Sequence, residues 1–144
     1  MTSVAFHFNV ADPLGYTCRL LRKAVGAGSK LVVTGDRVAL DELDQALWQM
    51  SPTDFVPHGG IDAGASTRHR SPVLLAESLQ DFSQGDILVN LGEAIPDGFE
   101  RFDRVIEVVG LDDQDRRLAR LRWKGYSTAG FALVQHDLSQ KGSP

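Results

Sequence analysis

Between Lys30 and Thr34 the chain reads Lys-Leu-Val-Val-Thr, a near-continuous apolar run too short for a helix. Such a run has no polar face to give to water, so it reads as a strand buried on both sides, in the middle layer of a sandwich. Val4-Ala-Phe-His-Phe-Asn-Val10 reads as an earlier strand, rich in β-branched and aromatic residues. Leu14, Cys18, Leu21 and Val25 recur at helical spacing between the two. Asp12-Pro13 supplies an N-cap and a first-turn proline for that helix, and Gly26-Ala-Gly28 ends it. Strand, helix and strand in this order imply a right-handed parallel crossover.

The pattern continues. Asp36 caps a second helix whose Leu40, Leu43 and Leu47 face the sheet, with Trp48 at the edge of that packed stripe. Ser51-Pro-Thr-Asp-Phe-Val-Pro-His58 cannot extend the helix because of its two prolines, and Gly59 to Arg70 reads as a polar, mobile surface loop. Pro72-Val-Leu-Leu-Ala76 and Asp86-Ile-Leu-Val-Asn-Leu91 read as strands. Their connection is too short for a comfortable crossover helix, so one of them is expected as an edge strand of opposite direction. Ile95 to Phe102 has room for a short helix only, Arg104-Val-Ile-Glu-Val-Val109 is a further strand, and Phe131-Ala-Leu-Val adds a terminal one. The expected architecture is one three-layer α/β/α domain over residues 1–138 with a mostly parallel sheet, followed by a flexible tail at 139–144.

The segment from Leu111 to Phe131 reads as the last helix. Asp112, Asp113 and Asp115 crowd its first turn and five Arg or Lys follow, the order that a helix dipole favours. At helical pitch Leu118, Leu121, Gly125 and Ala129 form a modest apolar face, and Arg116, Arg120, Trp123 and Lys124 gather opposite it. An indole among cations fits two readings: a solvated basic face, or a groove for an acidic, partly apolar peptide.

Other chemistries lack their residues. No Gly-x-x-x-x-Gly-Lys-Ser/Thr occurs, and Gly26-Ala-Gly-Ser-Lys30 precedes a strand, which puts its amides on the wrong side of the sheet for a phosphate. The first strand-to-helix turn, Asn9 to Gly15, has one glycine where a dinucleotide fingerprint wants three. His7, His58, His69 and His136 have no metal-ligand spacing among themselves or to Cys18, and no Gly-x-Ser-x-Gly elbow exists. No cofactor, metal or catalytic site is therefore expected. The lone Cys18 forms no disulfide framework and points to a reducing cytosol. No run approaches the roughly 18 apolar residues of a membrane span, and the N-terminus does not read as a signal peptide. Net charge is −4, so nucleic-acid binding by the molecule as a whole is disfavoured, although Arg68-His-Arg70 and residues 116–124 are local basic clusters.

Two blocks carry a family resemblance. Leu40-Asp-Glu-Leu-Asp-Gln-Ala-Leu-Trp48 with Ser51 to His58, and Arg116 to Arg120-Leu-Arg-Trp-Lys-Gly-Tyr126 with Ala129-Gly-Phe131, resemble the central segment and the C-terminal helix of the chi subunit of bacterial DNA polymerase III. The resemblance spans nearly the full chain. It implies a Rossmann-like domain without a nucleotide cofactor: a non-catalytic accessory subunit, cytoplasmic and replisome-associated. Such a subunit links the clamp loader, through its psi subunit, to the acidic C-terminal tail of single-stranded-DNA-binding protein. Position by position, it assigns tail binding to Arg116, Arg120, Trp123 and Lys124, with Arg120 on the terminal carboxylate and Trp123 in the apolar pocket, and Leu111 or Val109 as a wall of that pocket. It assigns contact with psi, or with a helicase-like competitor, to Trp48 and Phe55, with Pro57 and His58 fixing the loop. Direct single-stranded DNA binding through the basic-aromatic face, or a degenerate nucleotide-binding enzyme, are the competing readings.

Overall fold

The computed structural model describes residues 2–49, the backbone of 58–59, and residues 72–80, 82 and 85–139. Phe55, Pro57, residues 60–70 of the expected loop and tail residues 140–144 lie outside the described residues, as does the side chain of His58; the backbone of Gly59, expected to open that loop, is in a strand instead. The elements are β1 (Ser3–Val10), α1 (Pro13–Gly26), β2 (Leu31–Thr34), α2 (Arg37–Trp48), β3 (His58–Gly59), β4 (Val73–Ala76) and β5 (Gly85–Asn90). A single 3-10 turn (Phe99–Arg101), β6 (Phe102–Gly110), α3 (Asp113–Thr128) and β7 (Ala132–Asp137) complete the series.

Seven strands form one sheet in the order β3-β4-β2-β5-β6-β1-β7, with every pairing parallel. The expected antiparallel edge strand is absent from it. β4 and β5 are not neighbours but flank β2, so their short connection has to cross one strand instead of reversing beside one. It does so on the face that carries α3, where Leu79 and Phe82 pack. Crossovers that move one way along the sheet (through α1 and α2) lie on one face, and those that move the other way (marked by Leu79 and Phe82 between β4 and β5, and by α3) lie on the opposite face. A uniformly right-handed crossover requires that arrangement.

Among the described residues, each α-helix starts on an aspartate. Asp12, Asp36 and Asp112 accept hydrogen bonds from the amides of Gly15, Ala39 and Asp115 at 3.2, 2.8 and 3.2 Å, satisfying a donor that the helix itself leaves open. Gly28, at φ +87°, turns the chain out of α1 in a conformation that costs a side-chain-bearing residue more. Leu21, Leu40, Leu43 and Leu47 are fully buried against Leu31, Val33, Val89 and Ile106 on the α1/α2 face. Val4, Phe6, Leu88, Phe102, Val105 and Tyr126 form the second core under α3. The chain is thus a three-layer α/β/α fold, with β2 buried on both faces.

Helix α3 departs from its expected orientation. Its buried residues are Ala119, Arg122 and Tyr126, while Leu121 is 63% exposed and Ala129 lies on the surface. The face that packs is therefore rotated by one residue, about 100°, from the Leu118/Leu121 face. A pattern that scores leucine as inside and arginine as outside cannot find it, because Arg122 is the inward residue. Trp123 moves with the rotation. It is half-buried and its ring meets Phe6 edge-on at a centroid distance of 5.1 Å, so it is not a member of a wet opposite face.

Candidate functional site

On the α3 side a cavity of about 440 Å³ opens between β1, the end of β6, α3 and β7. Phe6 and Phe8 of β1, Val109 of β6, and Ala119 and Trp123 of α3 supply an apolar body; Asn9, Arg116, Arg120 and Gln135 supply polar edges. Alternation along the strands explains the lining. Residues 105, 107 and 109 of β6 and 4, 6 and 8 of β1 point towards α3, while Ile106 and Val108 point towards α1 and α2. Arg116, Ala119, Arg120 and Trp123 share one face of α3 because their spacing is three, four and seven.

The expected basic-aromatic set divides in this arrangement. Arg116, Arg120 and Trp123 come together at the cavity. Lys124 is exposed on α3 and Leu111 is 50% exposed beyond β6; neither lines the cavity, and Val109 stands in the wall instead. Arg116 donates from Nη2 to Oδ1 of Asn9 at 2.8 Å. Arg120 makes no hydrogen bond or ion pair among the described residues, so its guanidinium is available to an external acceptor. The site therefore offers an apolar trough ended by a free planar cation, a shape that suits an apolar group next to a carboxylate.

Directly beside this trough lies a buried polar cluster that the sequence pattern does not reveal as a unit. Glu107 is completely buried and accepts from Arg122 Nε at 2.9 Å, Tyr126 Oη at 2.6 Å and Asn90 Nδ2 at 2.9 Å. Arg122 also reaches the carbonyl of Glu93 at 3.0 Å. Burial pushes the Glu107 carboxyl up, against the opposing pull of Arg122 and of the hydrogen bonds from Asn90 and Tyr126. Burial, reinforced by the Glu107 charge, pushes the Tyr126 hydroxyl up as well, so it remains a donor. The cluster bolts α3 to β5 and β6 and thereby sets the height of Arg116, Arg120 and Trp123 over the sheet. One sign of it is legible in the sequence: an acid at the centre of Val-Ile-Glu-Val-Val, in a strand covered on both faces, must have a partner.

A second cavity, about 290 Å³, sits at the carboxyl ends of β4, β2 and β5, where doubly wound folds hold nucleotides. Glu77, Glu93 and Asp97 line it, an acidic wall that disfavours phosphate. Among the described residues no three of His, Cys, Asp and Glu come together as a metal site, and no helix is long and apolar enough to cross a membrane. On α2, Trp48 is 62% exposed at the end of the buried Leu40/Leu43/Leu47 stripe and far along the sheet from the α3 cavity.

Residues 1–134 match the family described as DNA polymerase III chi subunit, HolC. The chain belongs to that family. Its relatives include DNA polymerase III subunit chi of Escherichia coli, 33% identical over 118 residues, covering 81% of this chain and 79% of that one. The chi subunit of Pseudomonas aeruginosa is 32% identical over 143 residues, covering 96% of this chain and 98% of its own. That of Haemophilus influenzae is 30% identical over 123 residues, covering 84% of each. In fold alone, the chi-family chain is similar to the C-terminal domain of the DEAD-box protein Dbp5, with a TM-score of 0.57 at 13% identity over 96% of this chain and 91% of that one. The family resemblance carried by the Leu40–His58 and Arg116–Phe131 blocks is thus shown over nearly the whole chain.

Proposed function

We propose that the chain is a non-catalytic accessory subunit of the DNA polymerase III holoenzyme, and that its α3 cavity grips the acidic C-terminal tail of single-stranded-DNA-binding protein. The observation that carries the reading is the pairing of an apolar trough with the unengaged Arg120. The tail's last apolar side chain enters between Phe6, Val109 and Trp123, and its terminal carboxylate takes the two parallel donors of the Arg120 guanidinium. Arg116 and Lys124 attract the acidic residues upstream, a long-range and salt-sensitive contribution. Trp48, with Phe55, Pro57 and His58, provides the surface for the psi subunit of the clamp loader or a helicase-like competitor, so that the chain bridges two partners.

The test is titration of a peptide of several aspartates ending in phenylalanine with a free carboxylate. Arg120→Ala lowers its affinity at least about tenfold while the unfolding midpoint stays put, since a lost charge-assisted bond is worth about 1.5–3 kcal/mol. Unchanged affinity would remove the assignment. Direct binding of single-stranded DNA is the rival. A cavity of 440 Å³ accommodates a side chain or two and gives no groove many phosphates long, so an oligonucleotide titration is expected to show weak binding.

A further inference from the structure

Asn9 combines three features that nothing in the family reading uses. It is the one non-glycine residue with positive φ among the described residues, at 60°, and it sits at the irregularity in the β1–β6 register between His7 and Val10. The irregularity breaks the alternation of β1: Val4, Phe6 and Phe8 face α3, yet Val10 packs in the α1/α2 core and Asn9 lines the cavity under α3. A regular strand would have pointed residue 9 to the other side of the sheet. Its amide is then fixed from both ends. Nδ2 donates to the Asp137 carboxylate of β7 at 2.9 Å, and Oδ1 accepts from Arg116 at 2.8 Å.

We infer that Asn9 is a positioning residue for the α3 cavity: a neutral spacer that aims Arg116 into the site while keeping it from being neutralised by Asp137. A carboxylate only accepts and a guanidinium only donates, so the group between them must do both, and an amide does. The residue must also tolerate the left-handed region, which asparagine, aspartate and glycine do best. Aspartate lacks the donor and glycine lacks the side chain. Asparagine meets all three demands, and the positive charge of Arg116 stays available for an acidic ligand. The inference rests on the reading of the cavity as a site for an acidic peptide.

The test measures affinity for the aspartate-rich peptide ending in phenylalanine, at low and high salt, in the full-length chain. Asn9→Gly keeps the backbone conformation and removes the amide, and is expected to weaken binding about threefold to tenfold. In an Arg116→Ala background the same change is expected to have no further effect, because Asn9 acts through that guanidinium. Asn9→Asp retains the acceptor and the left-handed tolerance but pairs Arg116 with a charge. It should weaken binding more than Asn9→Gly and flatten the salt dependence. If Asn9→Gly unfolds the chain, Asn9→Asp carries the test alone. A wild-type affinity in both variants overturns the inference, as does a loss in Asn9→Gly that persists undiminished without Arg116. Arg120→Ala separates the two levels: if it too binds normally, the peptide reading falls and takes the inference with it. If it abolishes binding while the Asn9 variants bind normally, only the role of Asn9 falls.

Discussion

Arg122 is the side chain on which the geometry of the α3 cavity depends, although it does not touch the cavity. It is 6% exposed and paired with a carboxylate that is fully buried. Removing one partner of such a pair leaves the other charge uncompensated in a poor solvent, at a cost of about 3–5 kcal/mol. Arg122→Met, which preserves most of the volume, is accordingly expected to lose that much in denaturant unfolding, and the Glu107→Gln/Arg122→Met double variant is expected to recover part of it. A cost below about 1 kcal/mol for the single change would mean that Tyr126 and Asn90 satisfy Glu107 unaided. The same site marks where the sequence is and is not readable. Glu107 advertises itself by standing in an apolar strand, but which of the many arginines answers it depends on how α3 is rotated. Asn9 is harder still, because its role comes from a break in alternation that no spacing rule foretells.

Helices α2 and α3 show how far an apolar stripe can be trusted. In α2 the leucines at 40, 43 and 47 are all at 0% exposure, as their spacing predicts, because no polar residue competes for the inner face. In α3 the leucines are outvoted: Glu107 draws Arg122 inward, Tyr126 follows one turn later, and Leu121 is left 63% exposed. The cation-rich side of α3 consequently meets the sheet margin, and Arg116, Arg120 and Trp123 line a cavity instead of a solvated face. On α2, Trp48 follows the last inward leucine by one residue, about 100° round the helix, and is 62% exposed. Trp48→Ala is therefore expected to change unfolding free energy by less than about 1 kcal/mol, as for a surface position. It should also reduce capture of psi by the purified chain at least tenfold. A stability loss of about 2–5 kcal/mol, typical of a truncated core side chain, with psi capture intact, would reassign the indole to packing.

At the scale of the whole molecule, the layering and six of the strands follow from local pattern, but the two-residue β3 at His58–Gly59, where a loop was expected, and the strand order do not. β4 and β5 are adjacent in sequence and lie on either side of β2, an outcome set by sheet-wide packing of the crossovers on two faces. Both faces can be interrogated by one titration, because the chain has two tyrosines, one in each core. Burial pushes both hydroxyls above their ordinary value of 10.0; Tyr126, wholly buried against Glu107, is displaced further than Tyr16, which is partly buried beside Arg19. For an acid raised in the folded state, the stabilisation is complete below the unfolded value and declines as pH rises above it, since the unfolded chain releases a proton that the folded chain keeps. Unfolding free energy should thus fall above pH 10, with Tyr126 contributing a slope of about 1.4 kcal/mol per pH unit and Tyr16 a smaller share because water screens it. Tyr126→Phe lowers stability at neutral pH through the lost bond to Glu107, yet it should flatten the alkaline decline by close to one proton. Tyr16→Phe should flatten it less. Urea midpoints measured from pH 8 to pH 11 decide the matter: an undiminished alkaline slope in Tyr126→Phe would show that its hydroxyl ionises as readily in the folded chain as in the unfolded one. The Glu107 cluster would then be open enough to water to lose its hold on α3.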